Sequence, residues 1–429
     1  MKFELLHPAD QIVMIMKRIY EYGMTTTSGG NLSIKDENGD IWITPASVDK
    51  GSLTAGDIVR VEPDGTVSGK HRPSSELPFH QATYKQRPDM NAVLHAHPPA
   101  LVSFSIIRKI PDTSLVPNAN FICGEVGMAE YGLPGSDDLG EKIGRVFKRG
   151  INTVLLENHG VVVVGEDLFK AFMAFETLDF CARLEIDARR LGTPISLTSK
   201  HLEISKNKQN VHMEEFVPEG FSSGERLARK EMCELIHRSY DQQLFTSTQG
   251  TFSTRLDDKS FLITPYMIDR KYLDVSEIVR IEDGRREAGK MPSRSAMLHK
   301  YIYEKHPHIN SIIIAHPPNI MAFAVTDQPF DSRTIPESYI LLRNIQKIPF
   351  GSSFMQPAMA ADLFVESNPI ALVENDCIIV TGSSLLNAFD RLEVAEYSAK
   401  ALIATKILGE VVIIDEKKIS DIEKAFNLP

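Results

Sequence analysis

The chain carries the same pattern twice. Residues 71–105, HRPSSELPFHQATYKQRPDMNAVLHAHPPALVSFS, stand against 289–324, GKMPSRSAMLHKYIYEKHPHINSIIIAHPPNIMAFA, and His97 meets His316 at an offset of 219. Upstream, 28–49 matches 248–269 at an offset of 220 through Ile43 and Ile263. Downstream, 154–180 matches 371–397 at an offset of 217 through Glu157 and Glu374. A drift of one or two residues is what loop insertions and deletions produce. Solenoid repeats recur every ~20–50 residues, so a period this long is a duplicated domain. The copies are set at 1–205 and 222–429. Between them the polar stretch 199–222, SKHLEISKNKQNVHMEEFVPEGFS, loses apolar periodicity as linkers do.

A chain of 429 residues has room for two domains, and 42% hydrophobic residues suffice for ordinary cores. The net charge of −10 leaves no basic footprint, so no nucleic-acid partner is expected. No run of about 18 apolar residues predicts a membrane span. The N-terminus, MKFELLHPADQ, turns polar too soon for a signal peptide. The expected location is cytoplasmic. Cys123, Cys181, Cys233 and Cys377 are too scattered for a metal or redox pair and are expected as reduced, buried thiols.

In the first copy, Ile12, Ile15, Ile19 and Tyr20 fall at helical spacing. Strands follow at 41–45 and 57–65, the latter ending in a Pro-Asp-Gly turn. A helix is expected over 75–86 and a buried strand over 92–97. Residues 153–165 read as strand, turn, strand, with Asn158-His159-Gly160 at the turn. A long helix opens after Gly165 and runs to about Arg190, stopped near Gly192. Helices and short strands in this order imply a layered α/β or α+β architecture.

His95 and His97 lie two apart on a predicted strand, so both imidazoles face one side. His159 lies at a tight turn; it is either a turn residue without a role or a third ligand. Three histidines leave a position open for substrate, as in catalytic zinc sites, and imidazole suits Zn²⁺ or another divalent first-row ion. Ser74-Ser75-Glu76 precedes a helix. Serines and an acid at a helix start stabilise it on their own. The same residues suit phosphate binding at a helix N-terminus, with Glu76 as acid/base. Ser28, Asn31 and Ser47 add amides and hydroxyls that wrap an anion.

These motifs, SGGNLS (28–33), ITPAS (43–47), PSSE (73–76), LHAHP (94–98) and ENHG (157–160), together resemble the class II aldolase/adducin family. The resemblance covers both halves. It implies an α/β fold of two tandem three-layer α/β/α domains, each with a mainly antiparallel central sheet. It also implies homo-oligomers built around a fourfold axis, with sites between neighbouring subunits. By the resemblance His95, His97 and His159 would bind Zn²⁺, with Glu76 beside it as acid/base. Ser28, Asn31, Ser47, Ser74 and Ser75 would hold a sugar phosphate. Retro-aldol cleavage of a phosphorylated ketose to a triose phosphate and an aldehyde leaves an enediolate, whose charge a Lewis-acid metal stabilises. Glu rather than Asp at position 76 favours aldolases over epimerases. One departure stands out: the family's Thr-Pro-x-Gly turn is here Thr44-Pro45-Ala46-Ser47.

The second copy has lost the set. His95 becomes Ile314, His159 becomes Asp376, Glu76 becomes Ser295 and Asn31 becomes Thr251, while His316 remains. A pseudoenzyme domain follows. Family aldolases also take a proton-donating tyrosine from a neighbouring subunit. The corresponding segment of the second copy, IPESYILLRNIQKIPFG (335–351), contains Tyr339, and that of the first copy lacks a tyrosine before Tyr131. The expectation is that the second copy of the same or an adjacent chain donates Tyr339, in a dimer forming a pseudo-fourfold ring. Sugar-phosphate epimerase, dehydratase or decarboxylase chemistry on the same scaffold is the alternative; a non-catalytic adducin-like interaction module is another.

Overall fold

A computed structural model describes residues 2–208, 210 and 212–428. It divides into two compact units: Lys2–Thr113 with Asn118–Arg183, and Ser114–Pro117 with residues 184–428.

In the first unit the sequence spacing becomes structure directly. Helix α1 (Pro8–Glu21) buries Ile12, Ile15, Met16 and Ile19, and the His7 side chain caps it by accepting from the Ala9 N–H. Strands β1 (Asn31–Lys35), β2 (Ile41–Ile43), β3 (Val59–Val61), β4 (Val67–Ser68), β5 (Ala92–Ala96), β6 (Val126–Ala129), β7 (Thr153–Leu156) and β8 (Val161–Gly165) form one sheet of order β4-β3-β2-β1-β5-β8-β7-β6. Every pairing is antiparallel except β6 with β7, so the sheet is mixed at one edge. The strand expected over 57–65 is shorter, because the turn at Pro63–Gly65 starts a new strand, β4. Helices α2 (Leu77–Gln86) and α5 (Asp137–Phe147) pack together on one face, and α1 lies against β1 and β2. Helices α3 (Pro99–Ile106) and α4 (Pro117–Cys123) follow β5, and α6 (Leu168–Leu191) follows β8. The core beneath α2 and α5 takes Ile43, Val59, Phe79, Val93, Ile143, Phe147, Val154, Val162 and Val164. Each fully buried side chain of this size contributes ~1.5–3 kcal/mol.

The second unit repeats the plan. Strands β10 (Thr251–Arg255), β11 (Ser260–Ile263), β12 (Val279–Glu282), β13 (Arg285–Glu287), β14 (Ser311–Ala315), β15 (Ile345–Ile348), β16 (Ile370–Val373) and β17 (Cys377–Gly382) follow the same spatial order, extended by β9 (Glu215–Phe216). Strand β9 lies within the expected linker and pairs in parallel with β13, so part of that stretch builds the second sheet. Helix α7 (Ser199–Lys206) lies there too; Gln209 and Val211 are outside the described residues. Helices α8 (Ser223–Asp241) and α9 (Ala296–Lys305) match α1 and α2, and α10 (Pro318–Ala324), α11 (Pro336–Leu342), α12 (Ser352–Met355), α13 (Pro357–Ala360), α14 (Leu385–Thr405) and α15 (Glu416–Ala425) complete the unit. All four cysteines are free and buried. Among the described residues, no helix is long and apolar enough to cross a membrane.

Candidate metal centre

The register of the first sheet assembles the site. His95 on β5 stands opposite Asn31 on β1 and Val162 on β8. Val93, two residues earlier, enters the core under α2, so His95 faces the same way and meets the Phe79 ring edge-on at 5.8 Å. His97 lies just past the strand, where Pro98 starts the turn into α3. The β7–β8 turn delivers His159. Leu156 and Gly160 close that turn at 2.8 Å, and Asn158 takes φ 54°.

One ring nitrogen from each of His95, His97 and His159 lies within 4.8 Å of the others. Glu76, the residue before α2, completes the cluster, with Oε2 3.4 Å from His95 Nε2 and Oε1 3.9 Å from His159 Nε2. His95 donates its Nδ1 proton to the Val161 carbonyl at 2.9 Å, which leaves Nε2 bare. That tautomer is the one metal-ligating histidines adopt when a carbonyl fixes the outer nitrogen. His95 Nε2, His97 Nε2, His159 Nδ1 and Glu76 Oε1 are buried without a hydrogen-bond partner among the described residues. Orphaned buried polar atoms are costly, and a divalent cation among the three rings would satisfy the bare Nε2 atoms of His95 and His97. Burial holds His95 and His97 down to about 3, helped by neighbouring imidazole charge. His159 is lowered by burial, with Glu76 opposing. The three rings are therefore neutral, the form that ligates metal. The residues present fit a divalent ion.

Close backbone approach explains the glycines around the cluster. A Cβ on Gly29 would lie 3.0 Å from His97 Nδ1, and one on Gly30 2.8 Å from the His95 carbonyl. The loop carrying Ser28 is thus pressed against the histidines. The loops carrying Ser47 and Ser74 are stitched together: Ser74 N–H donates to the Thr44 carbonyl, Ala46 N–H to the Arg72 carbonyl, and Pro45 bridges Pro73. Ser47 takes φ 57°, so the turn keeps the left-handed shape a glycine would give although the residue is serine. Ser28, Ser47 and Ser75 are exposed, whereas Ser74 is buried, its Oγ accepting from the Glu76 N–H. Asn31 is buried and committed to neighbours: Nδ2 donates to Glu76 Oε2 and Oδ1 accepts from His80.

Two residues that support the candidate site escaped the sequence reading. Lys50 is buried and donates to the Pro45 and Val48 carbonyls at 2.9 and 3.2 Å, bracing the Ser47 loop. His80 reaches Asn31 from α2. Both had a signal: Lys50 aligns with Arg270, which holds the equivalent Pro265 and Ile268 carbonyls, and His299 follows Ser295 at the spacing of His80 after Glu76.

In the second unit Ile314, at the place of His95, has joined the apolar core. His316 is half-buried, and desolvation holds it down to about 4. Asp376 accepts from Ser353 at 2.8 Å. Lys208 lies here as well, over the Phe354 ring at 4.6 Å, with Asp376 opposing the effect of burial on its ammonium. Among the described residues no group of three metal-type ligands occurs in this unit. Tyr339, on α11, is buried, and its hydroxyl donates to Glu423 of α15 at 2.6 Å.

Sheet order and the histidine cluster define two copies of one α/β fold, of which the first brings together three histidines that could hold a metal ion. The chain belongs to the class II aldolase and adducin N-terminal domain family, whose model matches residues 10–186 and again 230–403. It is 34% identical over 176 residues to the L-fuculose phosphate aldolase of Methanocaldococcus jannaschii, covering 41% of this chain and 94% of that one. It is 31% identical over 177 residues to the 3-oxo-tetronate 4-phosphate decarboxylase of Haemophilus influenzae, covering 40% and 84%. Among solved structures, an L-fuculose 1-phosphate aldolase is 29% identical with a TM-score of 0.43, covering 47% of this chain and 95% of that one.

Proposed function

We propose that the first unit is a metal-dependent aldolase that cleaves a phosphorylated ketose to a triose phosphate and an aldehyde. The observation that supports it is the convergence of three neutral imidazoles beside the Glu76 carboxylate, with the Nε2 atoms of His95 and His97 buried and bare. His95, His97 and His159 would hold a divalent first-row ion, Zn²⁺ foremost, which supplies Lewis-acid polarisation of the substrate carbonyl. Glu76 moves a proton to or from the carbon that cleavage leaves as an enediolate. Ser28, Asn31, Ser47, Ser74 and Ser75 hold the phosphate, with the Lys50-braced loop presenting Ser47. Likeness to both an aldolase and a decarboxylase keeps a second reading: decarboxylation of a phosphorylated 3-oxo acid leaves the same kind of enediolate. A panel of ketose phosphates and 3-oxo acid phosphates, incubated with metal-loaded protein, separates them. Triose phosphate release selects aldolase and carbon dioxide selects decarboxylase. A new stereoisomer selects epimerase, and silence throughout returns the chain to the interaction-module reading.

Tyr339 is proposed as the proton donor to the aldehyde-side oxygen, reaching a first-unit site within a homo-oligomer. To act it must leave Glu423. Tyr339→Phe is expected to lower kcat by about 10²-fold, within the range for losing a general acid, with metal content unchanged. Unchanged turnover would leave Tyr339 a structural residue of the second unit.

A further inference from the structure

We propose that Asn31, His80, Ser33 and Tyr84 form a directed hydrogen-bond strut that clamps Oε2 of Glu76 and leaves Oε1 as the proton-carrying oxygen. The inference deepens the aldolase reading and rests on Glu76 as its acid/base. Each link fixes the next. A carboxylate only accepts, so Asn31 Nδ2 is the donor at 2.5 Å. The amide is thereby oriented, and its Oδ1 must accept from His80 Nε2, also at 2.5 Å. His80 is fully buried, and burial holds the ring uncharged, so a proton on Nε2 leaves Nδ1 bare. The Ser33 hydroxyl then donates to Nδ1 at 2.7 Å, and its oxygen accepts from the Tyr84 hydroxyl at 2.7 Å. The strut runs from the α2–β1 interior to one oxygen of one carboxylate, and the other oxygen has no hydrogen-bond partner among the described residues.

The second unit is an internal control. Ser253, His299 and Tyr303 repeat the inner part, with the serine 2.6 Å from the imidazole and 2.7 Å from the phenol. The outer link is gone. Thr251, at the place of Asn31, turns to Ser293 at 2.8 Å, and His299 Nε2 has no hydrogen-bond partner among the described residues. The inner triad thus belongs to the scaffold of both copies, whereas the asparagine link is present where the glutamate is present. His80 and Asn31 are positioning residues for Glu76.

The test uses the full-length, metal-loaded protein. Histidine labelled with ¹⁵N should show His80 as the Nε2-protonated tautomer, and Asn31→Thr, which copies the second unit's own packing, should abolish that single tautomer. On the substrate found by the panel, His80→Phe and Asn31→Thr should each lower kcat about 10–100-fold, the scale of a small misplacement of a reacting group. Metal content should hold, and for His80→Phe so should KM. Combined with Glu76→Gln, His80→Phe should add no further loss. An Nδ1-protonated His80, an unchanged kcat, or losses that multiply with Glu76→Gln would overturn the strut. Should Glu76→Gln itself retain full activity, the acid/base reading fails instead. Should no substrate turn over, the tautomer measurement alone decides.

Discussion

Glu76 sits where two demands meet. Its carboxylate is buried beside three imidazoles, and one oxygen is already taken by Asn31. Glu76→Gln keeps the shape and removes the proton chemistry, so kcat should fall by about 10²–10⁴-fold while elemental analysis finds the metal retained. Loss of metal in that variant would make Glu76 a ligand rather than an acid/base. Buried imidazoles also set how the protein responds to acid. His299 is held down to about 3 by burial, against an ordinary value of 6.5, and His80 is lowered well below the ordinary value. The unfolded chain therefore binds protons that the native state refuses. Stability is fully present above the unfolded value and is lost as pH falls through about 6.5 towards the folded values. The urea midpoint should drop between about pH 7.5 and about pH 5, before most carboxylates titrate, and His299→Gln should flatten that drop.

At the scale of elements, the hairpin β7–β8 and the end of β5 are locked to one another. A Cβ on Gly160 would lie 2.5 Å from the Ala96 carbonyl and 2.7 Å from His97 Cδ2. Gly160→Ala should push the hairpin off β5 and weaken metal binding by about 10–100-fold, as disturbed ligand support does, while circular dichroism stays native. Retained affinity would show that the hairpin can shift without moving His159. Much of this element was legible beforehand. Alternation put His95 and His97 on one face, and Asn-His-Gly between apolar runs placed the turn. What sequence could not carry was pairing across the sheet. That Asn31 stands opposite His95 depends on β1 lying beside β5, sixty residues later in the chain. The sequence therefore offered the asparagine as a phosphate ligand and gave no sign of its bond to Glu76. The serine at position 47 misled in the other direction. It departs from the family's glycine in residue type, yet its backbone keeps φ 57°.

For the whole molecule, duplication was the most legible property, because matched motifs recur at nearly constant offset and both copies build the same strand order. Its chemical asymmetry follows from Ile314, Asp376 and Ser295. Full-length protein stripped of metal and reloaded should bind one tight equivalent of divalent ion per chain, and His97→Ala should abolish it. Two equivalents, or one that survives His97→Ala, would place an ion in the second unit.

Ile314 does more than record a lost ligand. It packs among Ile312, Ile302, Ala371 and Ile379, so its side chain is now part of what keeps the second unit folded. Returning histidine there would bury an imidazole among hydrocarbon and cost about 1–3 kcal/mol for the unpaired polar group alone. It would gain nothing until position 376 also became histidine. Descent from the complete to the incomplete copy is therefore easy step by step, whereas the reverse path runs uphill at its first step. Duplication has left this chain with one half held to its chemistry and the other free to drift only further from it.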